Sequence, residues 1–246
     1  MDRFLRVWLG VLIAVLLALA LTPLLPSPAL VIAGSTSLAP LAEAAKAPLA
    51  VALGGRIEVD TLGSSEGLSA VRRGAADLAL SDLPLKAPGV ARVPLGGVAI
   101  SVIAAVGLPH NLTQSQLQEM LQGHLRNWQE LGGPRVPLRL VLRAPGSGVR
   151  ALLERFAGGP LPQGALVVLA SGQVAPTVAH LPGAIGFVEA SFAPRSLLVT
   201  VDGKAPGDAG YPLRYTAYAL YRVGNARAKL AARVLQALAA QRGAPQ

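Results

Sequence analysis

From residue 30 onward, short apolar runs alternate with stretches whose apolar residues recur at helical spacing, separated by turns rich in glycine, serine and proline. That alternation predicts α/β architecture. Strands are expected over residues 30–33, 56–60, 77–80, 138–142, 166–169, 184–188, 196–201 and 215–221. The β-branched run 98–106 predicts a buried segment. An alanine-rich helix is expected from about Leu38, and a short one running to Arg73, where Gly74 stops it. Thr113-x-x-Gln116 is a capping box for a helix ending at Gly123. A further helix runs to about Phe156, and a last one follows Asn225 with Leu230, Val234, Leu235 and Leu238 on one face.

One arrangement occurs three times: a strand enters a Gly/Ser/Thr turn, and the turn opens a helix. The turns are residues 34–37, 63–65 and 146–148, the last just after Arg143. Each offers hydroxyls and unpaired backbone N–H groups at the positive end of a helix dipole. A single such turn is no more than an ordinary helix cap. Three of them in an α/β chain, where turns collect at the carboxyl ends of strands, point to a donor-rich cage for an oxyanion.

Asp82 follows the third strand directly, which puts it at the same edge. A carboxylate repels a fully ionised anion, whereas phosphate at neutral pH keeps a proton that a carboxylate can accept. Sulfate has none to give, so Asp82 would discriminate between the two. Taken alone, Asp82 is equally consistent with a turn cap.

Composition narrows the alternatives. Of 246 residues, 52% are apolar and 14% charged, so the chain can fill a core and disorder is excluded. No cysteine is present, which excludes disulfides, Cys-ligated metals and a lipid-modified cysteine anchor. His110, His124 and His180 have no metal-ligand spacing, and neither metal nor cofactor is expected. The net charge is +9, but the arginines are scattered and aromatic residues make up 4%, so no nucleic-acid partner is expected. A basic surface does draw small anions.

The start of the chain is distinct. Met1–Arg6 is a short basic end, residues 7–21 are uncharged and apolar, and Pro23, Pro26 and Pro28 follow. Residues 1–29 read either as a secretory signal, with Ser27 and Ala29 as small residues at a cleavage site, or as an uncleaved membrane anchor. In both cases the remainder works outside the cytoplasm.

The same residues carry a resemblance to the extracytoplasmic phosphate-binding proteins of ABC transporters, in their short bacterial form. It rests on Ala33-Gly-Ser-Thr-Ser-Leu-Ala-Pro40, Gly63-Ser-Ser-Glu-Gly67, Ala79-Leu-Ser-Asp82 and Arg143-Ala-Pro-Gly-Ser-Gly148. Leu112-Thr113 through Gly123-His-Leu-Arg-Asn-Trp128 to Gly132-Gly133, Gly183-Ala-Ile-Gly-Phe-Val188 and Tyr211-Pro-Leu-Arg214 continue it, in order. The resemblance implies a two-lobed, Venus-flytrap (type II periplasmic-binding-protein-like) fold. One lobe would hold residues 30–100 and 192–246, the other 101–191, with two crossover segments as hinge. It further implies that Thr36, Ser37 and Ser64 donate to phosphate, that Asp82 accepts its proton and that Arg143 pairs with its oxygens. Ser147 and the N–H groups of Gly148 and Val149 would close the other side. The implied partners are inorganic phosphate and an ABC permease with its ATPase, served by a monomer.

Two positions depart from the resemblance: Pro145 stands where an Asp commonly steadies the arginine, and Val149 where a Thr commonly supplies a hydroxyl. Arg150 is then either a compensating donor or a solvated helix charge. Two rival readings differ in role. A membrane-tethered sensor or adaptor would keep the fold. A serine hydrolase would use Ser65 in Gly63-x-Ser65-x-Gly67, but no histidine follows the late acids Asp202 and Asp208.

Overall fold

The computed structural model describes residues 29–242. Except for Ala29, the expected signal or anchor over residues 1–29 lies outside these residues. The first half runs β1 (Leu30–Gly34), α1 (Ala39–Leu53), β2 (Ile57–Thr61), α2 (Ser64–Arg73), β3 (Leu78–Ser81) and β4 (Val90–Ala104). It continues through β5 (Asn111–Leu112), α3 (Gln114–Gln122), β6 (Arg139–Arg143), α4 (Gly148–Ala157), β7 (Leu166–Val168) and α5 (Val174–His180). The chain closes with β8 (Ala184–Glu189), β9 (Leu198–Val201), β10 (Arg214–Arg222) and α6 (Ala226–Arg242).

The strands form one sheet in the order β2-β1-β3-β10-β4-β8-β6-β7. β1, β2 and β3 are parallel, joined by α1 and α2. β6, β7 and β8 are parallel in the other lobe. Between the two parallel sets stands β4. Its residues 90–99 pair with β10, and Ile100–Ala104 pair with β8. One strand therefore belongs to both lobes, and the change of partner falls at Ala99 and Ile100. Ile100 is tied there on both sides, its N–H to the Leu213 carbonyl at 2.8 Å and its carbonyl to the Tyr211 hydroxyl at 2.7 Å.

Local chemistry accounts for the element ends. The Thr113 capping box forms in full, with Thr113 and Gln116 each accepting the other's backbone N–H. Gly74, Gly123 and Gly158 stop α2, α3 and α4 in the left-handed region. Trp128 is fully buried, and its indole N–H donates to the Gly183 carbonyl at 2.8 Å, stapling the α3–β6 connection to the start of β8.

Three expectations need correcting. The buried segment at 98–106 is the end of a strand that begins at Val90, and Val106 is 81% exposed in the turn that follows. Arg92, Pro94, Gly96 and Gly97 hid the first half, because their pairing comes from β10 rather than from an apolar pattern of their own. On α6 the buried positions are Ala228, Ala231, Ala232 and Leu235, while Leu230 is 44% exposed. Leu235 is buried and Val234 and Leu238 pack against the core as expected, so only Leu230 departs from the expected face, and the alanines let the helix lie close to α1 and β4. Finally, β9, which the expected boundary at 192 places with the first lobe, pairs with Val102 and Ile103 of β4 and with β5.

The approach of α2 to β1 depends on two glycines. Gly34 has φ +125°, and a Cβ there would lie 2.1 Å from the Leu80 carbonyl oxygen. A Cβ on Gly67 would lie 2.6 Å from the Gly34 Cα. Gly67→Ala should cost about 2–3 kcal/mol of unfolding free energy, the scale of a forced backbone shift. Gly159, with nothing within 4 Å of its Cβ position, is the control: Gly159→Ala should stay within about 0.5 kcal/mol by urea denaturation.

Candidate functional site

The loops at the carboxyl ends of β1, β3 and β6 and the N-termini of α2 and α4 converge between the lobes. At the end of β1, the Ser35 N–H bonds the Leu80 carbonyl, and Ser35 caps the short 3-10 turn Thr36–Leu38. This fixes Ser35 and Ser37 side by side. Both hydroxyls donate to Asp82 Oδ2, at 2.8 and 2.9 Å. Ser64, the first residue of α2, donates to Asp82 Oδ1 and receives the Asp82 backbone N–H. Two helix-opening turns thus aim three hydroxyls at one buried carboxylate.

Arg143 enters from the other lobe at the end of β6 and is 5% exposed. Its Nη2 donates to Thr36 Oγ1 and to the Leu169 carbonyl, both at 3.0 Å, and its Nη1 to Ser171 Oγ. The Thr36 contact is a direct bond across the lobes. Nε has no partner, and among the described residues Arg143 forms no direct ion pair. Burial pulls its pKa below the usual arginine value, opposed by the fields of Glu189, then Asp82, then Tyr215.

The third turn faces Asp82. A Cβ on Gly148 would come within 2.5 Å of Asp82 Cβ and Cγ, so only glycine allows this approach. Ser147 caps α4 by accepting the Arg150 N–H at 3.2 Å. The N–H groups of Gly148 and Val149 belong to the first turn and so have no partner within the helix. Val149 turns its side chain into the core. Arg150 pairs with Glu154 through Nε at 2.9 Å, and its Nη1 donates to the Arg143 carbonyl at 3.4 Å. Beside this contact a cleft of about 650 Å³ is lined by Asp82, Leu83, Pro84, Gly148, Ala151 and Arg155, among others.

Thr36, Ser37, Ser64, Asp82 and Arg143 are therefore brought into one hydrogen-bonded neighbourhood, with Ser147, Gly148 and Val149 at its opposite wall. Ser65 is exposed on α2, and Ser64 is the buried member of that turn.

Four groups escaped the sequence reading: Ser35, Ser171, Glu189 and Tyr215. Glu189 is 2% exposed at the end of β8; its Oε1 accepts from the Tyr215 hydroxyl at 3.3 Å, and its Oε2 has no partner. The Tyr215 oxygen lies 3.4 Å from Ser37 Oγ. Burial raises Glu189 from 4.5 to about 6; Asp82 adds to the rise, while its own backbone N–H, Arg143 and the nearby Ser171 hydroxyl oppose it. Burial also raises Tyr215, with Glu189 and Asp82 adding to it. The signal for Glu189 was present in the sequence: like Asp82, it follows an apolar strand directly.

Chemically, the site offers hydroxyl and guanidinium donors, backbone N–H groups at helix starts, and a carboxylate able to accept a proton. A family model described as a PBP superfamily domain matches residues 24–238. The chain belongs to the PBP superfamily. The phosphate-binding protein PstS of Bacillus subtilis (strain 168) is 30% identical over 192 residues, 73% of this chain and 64% of that protein, so the chain spans just under two thirds of that relative. A putative phosphate ABC transporter substrate-binding protein from Clostridium perfringens, solved with bound phosphate, has a TM-score of 0.78 at 26% identity, covering 85% of this chain and 93% of its own. An ABC-type phosphate transport receptor from Vibrio cholerae shares the fold, with a TM-score of 0.69 at 24% identity over 87% of this chain and 96% of its own.

Burial of the Glu189 carboxyl predicts a pH dependence of stability. Its folded pKa lies above the unfolded one, so the folded state holds the proton more tightly, and stability is lost as pH rises from about 4.5 through about 6. Glu189→Gln removes the cost of the buried charge. The variant should be more stable than the parent above pH 7 by about 2 kcal/mol, with the difference vanishing near pH 4.5, as read by urea unfolding.

Proposed function

We propose that this PBP-superfamily protein binds inorganic phosphate between its lobes, outside the cytoplasm, and delivers it to the permease of an ABC transporter. The observation that carries the reading is the arrangement around Asp82: three hydroxyls meet its carboxylate in one lobe, and Arg143 reaches across from the other to Thr36. Phosphate fits the chemistry of that set. Its unprotonated oxygens take hydroxyl, guanidinium and N–H donors, and its remaining O–H donates a hydrogen bond to the Asp82 carboxylate. The guanidinium forms charge-assisted bonds to oxyanions in a planar fork. Contacts from both lobes to one ligand supply the differential affinity that favours closure. The phosphate-binding relatives named above support the same ligand class.

Within this reading, Thr36, Ser37, Ser64, Ser147 and the N–H groups of Gly148 and Val149 are the donors, with Arg143 the cation and Asp82 the proton acceptor. Ser35 joins them by orienting Asp82. Because Val149 supplies no hydroxyl, that wall binds through backbone N–H groups and Ser147.

Calorimetric titration of the full chain in mild detergent with phosphate and with sulfate tests this. Phosphate should bind in strong preference to sulfate, and Arg143→Ala should weaken it at least about 100-fold, the loss of two charge-assisted bonds. Asp82→Asn should narrow the gap between the two anions. A parent chain that binds no phosphate would refute the assignment.

A further inference from the structure

Three buried charged groups lie in this region: Arg143, Asp82 and Glu189, at 5%, 3% and 2% exposure. One cation against two carboxylates leaves the polar floor one negative charge in excess before any anion enters. An oxyanion adds to that excess in a place where water cannot screen it. A neighbouring charge of the same sign favours the neutral form of whichever carboxyl is least satisfied.

The two carboxylates are not equally supplied. Asp82 receives hydroxyl donors on both oxygens, from Ser35 and Ser37 on one and Ser64 on the other. Glu189 has the Tyr215 hydroxyl on Oε1 at 3.3 Å, with its own backbone N–H and the Ser171 hydroxyl nearby, and its buried Oε2 lacks a partner at hydrogen-bonding distance. Position reinforces the difference. Glu189 pairs with Ile100, where β4 passes from one lobe to the other. Through Tyr215 it is one bridge from Ser37 in the first lobe. In the second lobe, Ser171 lies between it and Arg143.

We propose that Glu189 is a specificity-determining residue of the cleft, which takes up a proton as a phosphate dianion binds, so that the loaded site holds it neutral. This rests on the phosphate reading above. The groups facing Glu189 are Arg143 from β6, Asp82 from the end of β3 and Tyr215 from β10, whose hydroxyl burial keeps in its neutral form. Arg214 and Asp208 line the adjoining pocket of about 470 Å³ together with Glu189, but both are exposed and screened by water. Glu189 already sits near 6, so a nearby anion needs to move it little further to discharge it at neutral pH. Ligands then differ by the charge they bring: the more negative the anion, the more its binding depends on this proton.

The test is calorimetry of the full chain in mild detergent, titrated with inorganic phosphate near pH 7 in buffers of different ionisation enthalpy. The dependence of the observed heat on buffer counts protons taken up, and the same series on Glu189→Gln subtracts the ionisation of phosphate itself. Proton uptake by the parent should exceed that of Glu189→Gln by more than about half a proton, and the parent's relative affinity should fall as pH rises. Equal proton counts, with both proteins binding phosphate, would overturn this inference and leave the phosphate assignment intact. A parent chain that binds no phosphate would overturn both. Infrared difference spectra of the parent give a readout that needs no substitution. A protonated-carboxyl band should appear when phosphate is added, and its absence would equally overturn the proposal.

Discussion

Taking the Arg143 guanidinium out of water is costly, and the neighbourhood is arranged around that cost. Its hydrogen-bond partners are all neutral: Thr36, Leu169 and Ser171. The carboxylates act on it through space rather than by contact. A directly paired guanidinium would have its fork occupied by a carboxylate. Here weaker neutral acceptors hold it in place, and a charged oxyanion can compete for the same donors. The same logic explains why Asp82 is surrounded by hydroxyls: these groups can donate to a carboxylate or to a ligand.

That chemistry can span two lobes because the backbone does. β4 gives its first part to β10 and its end to β8. The polar groups are therefore placed from a shared reference: Asp82 after β3, Tyr215 on β10, Arg143 on β6 and Glu189 on β8 all lie within a few strands of the same ribbon.

Much of this was legible in the residues. The helix-opening turns were visible because serine and glycine at strand ends have few other uses, and Asp82 and Arg143 stood out as charges beside apolar runs. The first half of β4 was not legible, because Pro94 and the Gly96-Gly97 pair suppress the pattern by which a strand is normally recognised. The packed face of α6 was legible through Val234, Leu235 and Leu238, which lie against the core, and misjudged at Leu230, which points outward while alanines make the close contacts. Glu189 and Tyr215 belong to another category. Glu189 shares with Asp82 its place at the end of an apolar strand, but its partnership with Tyr215 has no local mark, since it comes from a fold that brings residues 26 positions apart within hydrogen-bonding distance. Pro145 leaves Arg143 without a steadying acid two residues on; in the folded chain Ser171 and Leu169, which follow β7, and Thr36 do the holding.

The shared strand also has a mechanical meaning. Two bodies joined only by flexible linkers would be free to slide and swivel, and a ligand would have to select one pose from many. A ribbon that continues through both, pinned at Ile100 by Leu213 and Tyr211, resists sliding and yields chiefly by twisting. Opening and closing then resemble the winding of a leaf spring. Closure on the proposed phosphate ligand would then work against the twist of a few peptide units rather than against a loss of orientational freedom.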